Sequence, residues 1–246
     1  MGSMLHRPYF KSGVRVHGKF KSADPVEKIQ DYLAARKISG KTLERNRVMQ
    51  KRIGDEIVIA FTYWQRGELV SCKYRYLTKK FIQERNTRRI FYGLDDIERV
   101  SEIIIVEGEI DKLAMEETGF RNCVSVPDGA PSSVSSKETP PESQDTKYKF
   151  LWNCNDCLKK ASRIIIATDG DGPGQALAEE MARRLGKERC WRVKWPKKSK
   201  DEYFKDANEV RLDYMCLYLC DLMQLLKLLK LLSHTLYKDY SPWGKA

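Results

Sequence analysis

Apolar and polar positions fall into two different patterns along the chain. Pro25 to Arg52 reads as a helix, a turn at Ser39–Gly40 and a second helix. Glu56–Tyr63 and Glu68–Tyr76 are β-rich runs around Gln65-Arg66-Gly67, which predicts a hairpin. From Glu102 the pattern changes. Ile103–Val106 is a short, wholly apolar run of the kind buried on both faces of a sheet, and Ile110–Thr118 reads as a helix closed by Gly119. Further strands are predicted at Cys123–Val126, Arg163–Ala167 and Arg189–Trp195, with helices at Tyr148–Lys160 and Gln175–Leu185 between them. This alternation implies an α/β fold: a parallel sheet flanked by helices, preceded by a smaller α+β subdomain. Pro131–Thr146, rich in Ser, Pro and charge, reads as a mobile surface insertion. From Leu212 the chain is Leu-rich, with Lys227 and Lys230 interrupting Leu225–Leu232. That tail reads as a helix packed on its own protein, or on a partner or membrane surface. No apolar run approaches the ~20 residues that span a bilayer.

These patterns divide the chain into a basic arm (1–24), a basic α+β subdomain (25–100), the α/β domain (101–210, with the insertion at 131–147) and the Leu-rich tail (211–246). With 246 residues, 41% hydrophobic and 32% charged, the chain is long and apolar enough for a real core. Charge adds a partner. Residues 1–100 carry 22 basic and 11 acidic side chains, and the remainder carries 23 of each, so the whole +11 lies in the first hundred. Lysines of this kind keep a protein soluble or attract phosphate backbones, and their confinement to one part favours nucleic acid. Residues 1–23 hold Arg7, Lys11, Arg15, Lys19 and Lys21 without an Asp or Glu, compatible with the end of an organelle presequence or with a plain basic arm. Seven scattered cysteines do not form a secreted disulfide framework; a reducing compartment fits them better.

The chemistry is acidic. Glu107 follows the first α/β strand in Ile-Val-Glu-Gly-Glu-Ile-Asp, and Asp169 and Asp171 follow the third in Ala-Thr-Asp-Gly-Asp-Gly-Pro-Gly. Open α/β sheets bind ligands at the carboxyl ends of their strands, so these carboxylates should converge. Together they repel unless a hard divalent cation such as Mg²⁺ or Mn²⁺ lies between them. Asp169–Glu180 nearly matches a calcium loop, but Pro173 interrupts it and a strand precedes it. The other reading, that such acids merely cap helices, is weakened by two motifs at two strand ends.

Glu-Gly after one apolar strand and Asp-x-Asp-x-x-Gly after another resemble the Toprim domain of primases and topoisomerases. Lys205-Asp206-Ala207-Asn208-Glu209 resembles the third acidic element of phage-type primases. Residues 40–210 are similar to the primase half of the Twinkle family of organellar primase-helicases, particularly its plant form. The resemblance implies a Toprim-type sheet and a DNA-directed RNA primase active on a single-stranded DNA template with nucleoside triphosphates. It implies Glu107 as acid or base and metal ligand; Asp169, Asp171 and Asp206 as ligands of two Mg²⁺ or Mn²⁺ ions; and Glu109 and Asp111 as a supporting acidic rim. Lys73, Arg75, Lys79 and Lys80 would contact nucleotide and template, Lys79 close to the chemistry; a solvated strand is the alternative for those cations. It also implies a mitochondrial or chloroplast setting and, as a further partner, a full-length primase-helicase.

Two departures qualify the resemblance. No paired Cys-x-x-Cys elements form the family's zinc module; Cys154 and Cys157 are a lone pair, better read as core, so no zinc is expected. Gly40-Lys41-Thr42 imitates the end of a phosphate loop without its first glycine, and no helicase activity is expected. A non-catalytic single-strand DNA-binding or regulatory paralogue and a Toprim nuclease are the alternatives. Arg189 to Lys198 interleaves aromatics with cations; Trp191 and Trp195 read as core, and Lys197 to Lys200 as possible phosphate contacts.

Overall fold

The two sequence patterns become two sheets. The computed structural model describes residues 27–217 and 241–242; the basic arm and most of the Leu-rich tail lie outside the described residues. In the first part, α1 (Glu27–Ala34) and α2 (Gly40–Arg45) precede a four-stranded antiparallel sheet. Its strands are β1 (Met49–Ile53), β2 (Glu56–Gln65), β3 (Glu68–Arg75) and β4 (Phe81–Gln83), in that order. Ser39 caps α2 by accepting the Thr42 N–H. The second helix was expected to reach Arg52 but stops at Arg45. Arg47 turns left-handed (φ 50°), and the next residues pair with β2 from Met49↔Ala60 to Ile53↔Glu56. Pairing with a distant strand outweighs local preference here. The hairpin is as read: Arg66 and Gly67 both have positive φ (54° and 75°), as a two-residue type I′ turn requires.

The second sheet holds β5 (Glu102–Val106), β6 (Cys123–Ser125), β7 (Arg163–Ala167), β8 (Cys190–Arg192) and the two-residue β9 (Ser241–Pro242), in the order β6-β5-β7-β8-β9. The first four are parallel and β9 is antiparallel to β8. Helices α3 (Glu109–Glu117), α4 (Lys149–Asn153), α5 (Asn155–Leu158), α6 (Gly172–Leu185) and α7 (Ala207–Leu217) connect and cover it. The single helix read at Tyr148–Lys160 is broken at Cys154. Cys154 is buried among the core residues, its thiol pushed up to about 12 by burial. From β5 the chain turns one way to β6 and later the other way to β7, so direction reverses between β5 and β7. A parallel α/β sheet opens its ligand crevice at that point.

Both parts share a core: Ile29 and Leu33 of α1, Phe61 and Tyr63 of β2, Ile103 and Ile105 of β5 and Met181 of α6 lie in one buried cluster. Val106, Ala167, Val193, Trp195, Phe204 and Val210 cover the other face of the parallel sheet, so the core reading of Trp195 holds. Pro131–Thr146, read as mobile, has no helix or strand but is fastened to α6. Glu180 accepts the Ser135 N–H at 2.6 Å, Arg183 donates to the carbonyls of Ser135 and Lys137, and Arg184 pairs with Asp145 at 2.6 Å.

A buried ionic knot joins α2 to α3. The fully buried Lys112 ammonium donates to Asp96 at 2.7 Å, to Glu116 at 2.8 Å and to Asn46, and Arg45 reaches the same two carboxylates. Removing one member of such a group strands the others without counter-charge, whereas exposed pairs contribute little. Lys112→Ala should therefore lower stability by about 3–5 kcal/mol in urea titration. Arg66→Ala, which breaks the exposed pair with Asp156, should cost no more than about 1 kcal/mol. Equal effects would show that the knot carries no special weight.

Candidate functional site

The parallel register sets Val106 beside Ala167, so the residues that follow, Glu107 and Thr168-Asp169, leave the sheet side by side. The Asp169 N–H lies 3.4 Å from a Glu107 carboxylate oxygen. Each acidic motif then opens a helix. Asp111 turns back to accept the Gly108 N–H at 3.1 Å, Asp171 accepts the Gly174 N–H at 3.0 Å at the start of α6, and Asp206 accepts the Glu209 N–H at 2.7 Å at the start of α7. The capping role considered from sequence is thus real. It coexists with convergence, because helix N-termini carry partial positive charge and stabilise carboxylates. Gly174 makes the turn possible: a Cβ there would run into the backbone carbonyl of Asp169.

A cleft of about 700 Å³ opens between this edge and the antiparallel sheet. One wall carries Glu107, Asp111, Asp169 and Asp206; the other carries Arg36, Lys73, Arg75, Lys79 and Phe81. Burial raises Glu107 to about 7, helped by the neighbouring Asp169. Burial and the charge of Asp206 raise Asp169 to about 6 against the pull of Lys205. Asp111 is pushed well up by burial, then by Asp206 and Asp169, and burial raises Asp206 as well. Asp171 goes the other way: burial opposes the shift, but the Gly174 N–H and Lys205 outweigh it. Lys205 spans the pair, its Nζ 3.1 Å from both Asp169 and Asp171, and those bonds raise its own proton affinity.

Of the residues singled out from sequence, Glu107, Asp111, Asp169 and Asp206 meet in the cleft opposite Lys73, Arg75 and Lys79. Three are placed differently. Glu109 lines the cleft too, but it is buried and already paired, taking Lys73 at 2.7 Å and the Tyr63 hydroxyl at 2.6 Å. Asp171 does not line the cleft and caps α6 at its margin. Lys80 lies near the Tyr76 ring, 5.3 Å from its centroid, and does not line the cleft. Lys73, read as a ligand contact, is a strut that also donates to the Pro127 carbonyl. Sequence reasoning missed Arg36 and Phe81, which had no motif to mark them, and the Lys205 ammonium, which sat beside Asp206 in a motif read only for its acid.

Among the described residues, no three Asp, Glu, His or Cys side chains are gathered closely enough to form a closed metal site. The donors of the acidic wall are nonetheless all carboxylate oxygens. Their raised proton affinities, and the lysine held between Asp169 and Asp171 at the margin, mark a place that demands a cation, so the residues fit a hard divalent ion.

The same shifts fix a pH dependence. Glu107 and Asp169 hold protons more tightly folded than unfolded, so the stability they contribute is complete below about pH 4 and is lost as pH rises through 6 to 7. In EDTA, thermal unfolding should shift to lower temperature from pH 5 to pH 8, and Glu107→Gln should reduce that slope. An identical slope in the variant would contradict this electrostatic account.

Residues 101–194 match the family model described as "Toprim domain". Over 218 aligned residues the chain is 77% identical to the chloroplastic/mitochondrial Twinkle homolog protein of Arabidopsis thaliana, covering 81% of this chain and 31% of that protein. It is 74% identical to the Primase homolog protein of the same plant, covering 81% of this chain and 65% of that protein. The chain thus spans about a third and about two thirds, respectively, of these relatives. The primase fragment of the bacteriophage T7 primase-helicase superposes with a TM-score of 0.59 at 22% identity, over 79% of this chain and 71% of that one. The RNA polymerase domain of Mycobacterium tuberculosis primase, solved with double-stranded DNA, gives 0.58 at 14%, over 90% and 76%. These likenesses show a primase fold. Residues 101–194 are a Toprim domain, set within a chain closely similar to the plant Twinkle and primase homologues.

Proposed function

We propose that this chain is a primase-type nucleotidyltransferase that joins nucleoside triphosphates on a single-stranded DNA template in organellar DNA replication. The observation that carries the reading is the polarity of the cleft, with carboxylates of raised proton affinity facing a wall of cations. In that wall the buried Arg75 Nε has no hydrogen-bond partner. The organellar setting comes from the name of the 77% identical relative, chloroplastic/mitochondrial, and the link to replication from the word primase in the name of the 74% identical one.

Asp169, Asp171 and Asp206 would hold Mg²⁺ or Mn²⁺, two ions in all, with Glu107 beside them. When bound, these ions supply the positive charge that an in-line displacement at phosphorus needs. The chain's own groups do the rest. Arg75 and Lys79 take the phosphates, Lys73 is held in place by Glu109, and Glu107, near 7, can accept the proton of an attacking hydroxyl at neutral pH. Asp111 supports the wall through its bond to Gly108. A full-length primase-helicase is the partner that fits a primase-type chain. One observation favours a second reading, a non-catalytic single-strand DNA-binding paralogue: Lys205 already supplies a counter-charge to Asp169 and Asp171.

Incubation with single-stranded DNA, labelled nucleotides and either metal separates the readings. Extension supports the primase, cleavage a Toprim nuclease, and binding without chemistry the paralogue. Asp169→Asn should lower extension by orders of magnitude while DNA binding survives. Arg75→Ala with Lys79→Ala should reduce the salt dependence of DNA binding by about 1.4 in logarithmic slope, for two phosphate contacts. Lys73 is unsuited to that test, because its removal leaves Glu109 buried and unpaired. An unchanged slope would remove the template from this wall.

A further inference from the structure

A second feature grows from the acidic edge. Between Trp195 and Lys205 the chain folds into a small hairpin. The Lys198 and Ser199 N–H groups donate to the Glu202 carbonyl at 2.8 and 3.1 Å, the Phe204 N–H donates to Pro196 at 3.0 Å, and Lys197 bridges Tyr203. Its root is rigid. Trp195 is buried and donates its indole N–H to the Thr168 carbonyl at 2.9 Å, Phe204 is buried, and the Gly170 N–H donates to the Lys205 carbonyl at 2.7 Å. The root is therefore bonded directly to the loop that carries Asp169 and Asp171. The tip is the opposite in character. Tyr203 is 60% exposed, more than any other large hydrophobic side chain among the described residues, and the Lys197 ammonium lies 5.6 Å from its ring centroid. Lys197, Lys198 and Lys200 share this loop with Asp201 and Glu202; Lys197 also donates to the Lys200 carbonyl at 3.2 Å, and Lys198 is committed to Glu209 at 2.8 Å.

A rigidly mounted, exposed aromatic ring beside cations is what sequence-tolerant single-strand binding requires. A nucleobase stacks on the ring and the flanking phosphates meet the lysines. A solvated lysine loop alone gives no reason to hold a tyrosine ring out in water on a self-bonded hairpin. We propose that the Pro196–Phe204 hairpin is a second contact for the DNA single strand where it passes the acidic edge of the cleft, with one base on Tyr203 and neighbouring phosphates on Lys197 and Lys200. This rests on the reading of the cleft as the place where a single-stranded template is used.

The test is fluorescence anisotropy of the whole chain with a labelled 20-mer of thymidylate across a salt series. Tyr203→Ala should weaken binding about tenfold with an unchanged salt slope, because a stacked base and no phosphate contact is lost. Tyr203→Phe and Tyr203→Trp should stay near wild type. Lys197→Ala with Lys200→Ala should lower the logarithmic slope by about 1.4. All these side chains are exposed, so thermal unfolding should be unchanged in every variant. Tyr203→Ala binding within about twofold of wild type overturns the hairpin contact and leaves the cleft reading intact. A weakened Tyr203→Ala beside an unaffected Arg75→Ala, Lys79→Ala protein keeps the hairpin and removes the template from the basic wall. Wild-type protein that binds no oligonucleotide overturns both.

Discussion

Mutual repulsion among carboxylates crowded at the ends of β5 and β7 is the constraint around which this molecule is arranged. At short separations inside a protein, like charges interact by several kcal/mol, so the group exists only because opposing charge is built in close by. The N-terminus of α3 stabilises Asp111, that of α6 Asp171 and that of α7 Asp206. Lys205 lies between Asp169 and Asp171. Burial, together with the repulsion these devices leave uncompensated, raises the proton affinity of Glu107 and Asp169. A hard divalent cation would relieve it, and the phosphates such a cation carries would find the cations of the facing wall.

That opposition of walls has to be held in register, and buried ion pairs do so. The Glu109–Lys73 pair crosses from the start of α3 to β3, and the Lys112 knot crosses from α3 to α2. Both begin on α3, the helix that leaves the acidic edge. Glu109 and Asp111 both line the cleft, and Glu109 in addition fixes the basic sheet against the helix. Buried charges of this kind contribute more to a single fixed arrangement than to net stability.

Much of this was legible in the sequence, for identifiable reasons. Short apolar runs such as Ile103–Val106 and Ile164–Ala167, alternating with helical patterns, read as buried strands, and acids just beyond two of them are then expected to meet at a sheet edge. The turn at Arg66-Gly67 followed from the hairpin pattern around it. The failures have physical causes as well. Met49–Ile53 carries no strong strand signal, and pairing with β2, a non-local event, decides its state. Glu109 and Asp111 read as one rim and both line the cleft, but the sequence does not show that Glu109 is already paired with Lys73 and Tyr63, residues far from it along the chain. Lys73 reads as a nucleotide or template contact because the buried carboxylate that holds it lies 36 residues away. The Tyr203 hairpin was half visible, since its lysines drew notice while the ring between them did not.

The central claim is that the acidic edge is a cation site facing a basic wall. Crystals of the protein soaked in Mn²⁺ and measured at the manganese absorption edge test it most directly. The account predicts an anomalous peak within coordination distance of Asp169 and at least one of Glu107, Asp171 and Asp206, with the Lys205 ammonium displaced from between Asp169 and Asp171. Crystals that show no peak there, with Lys205 still bridging the two aspartates at millimolar Mn²⁺, would contradict it.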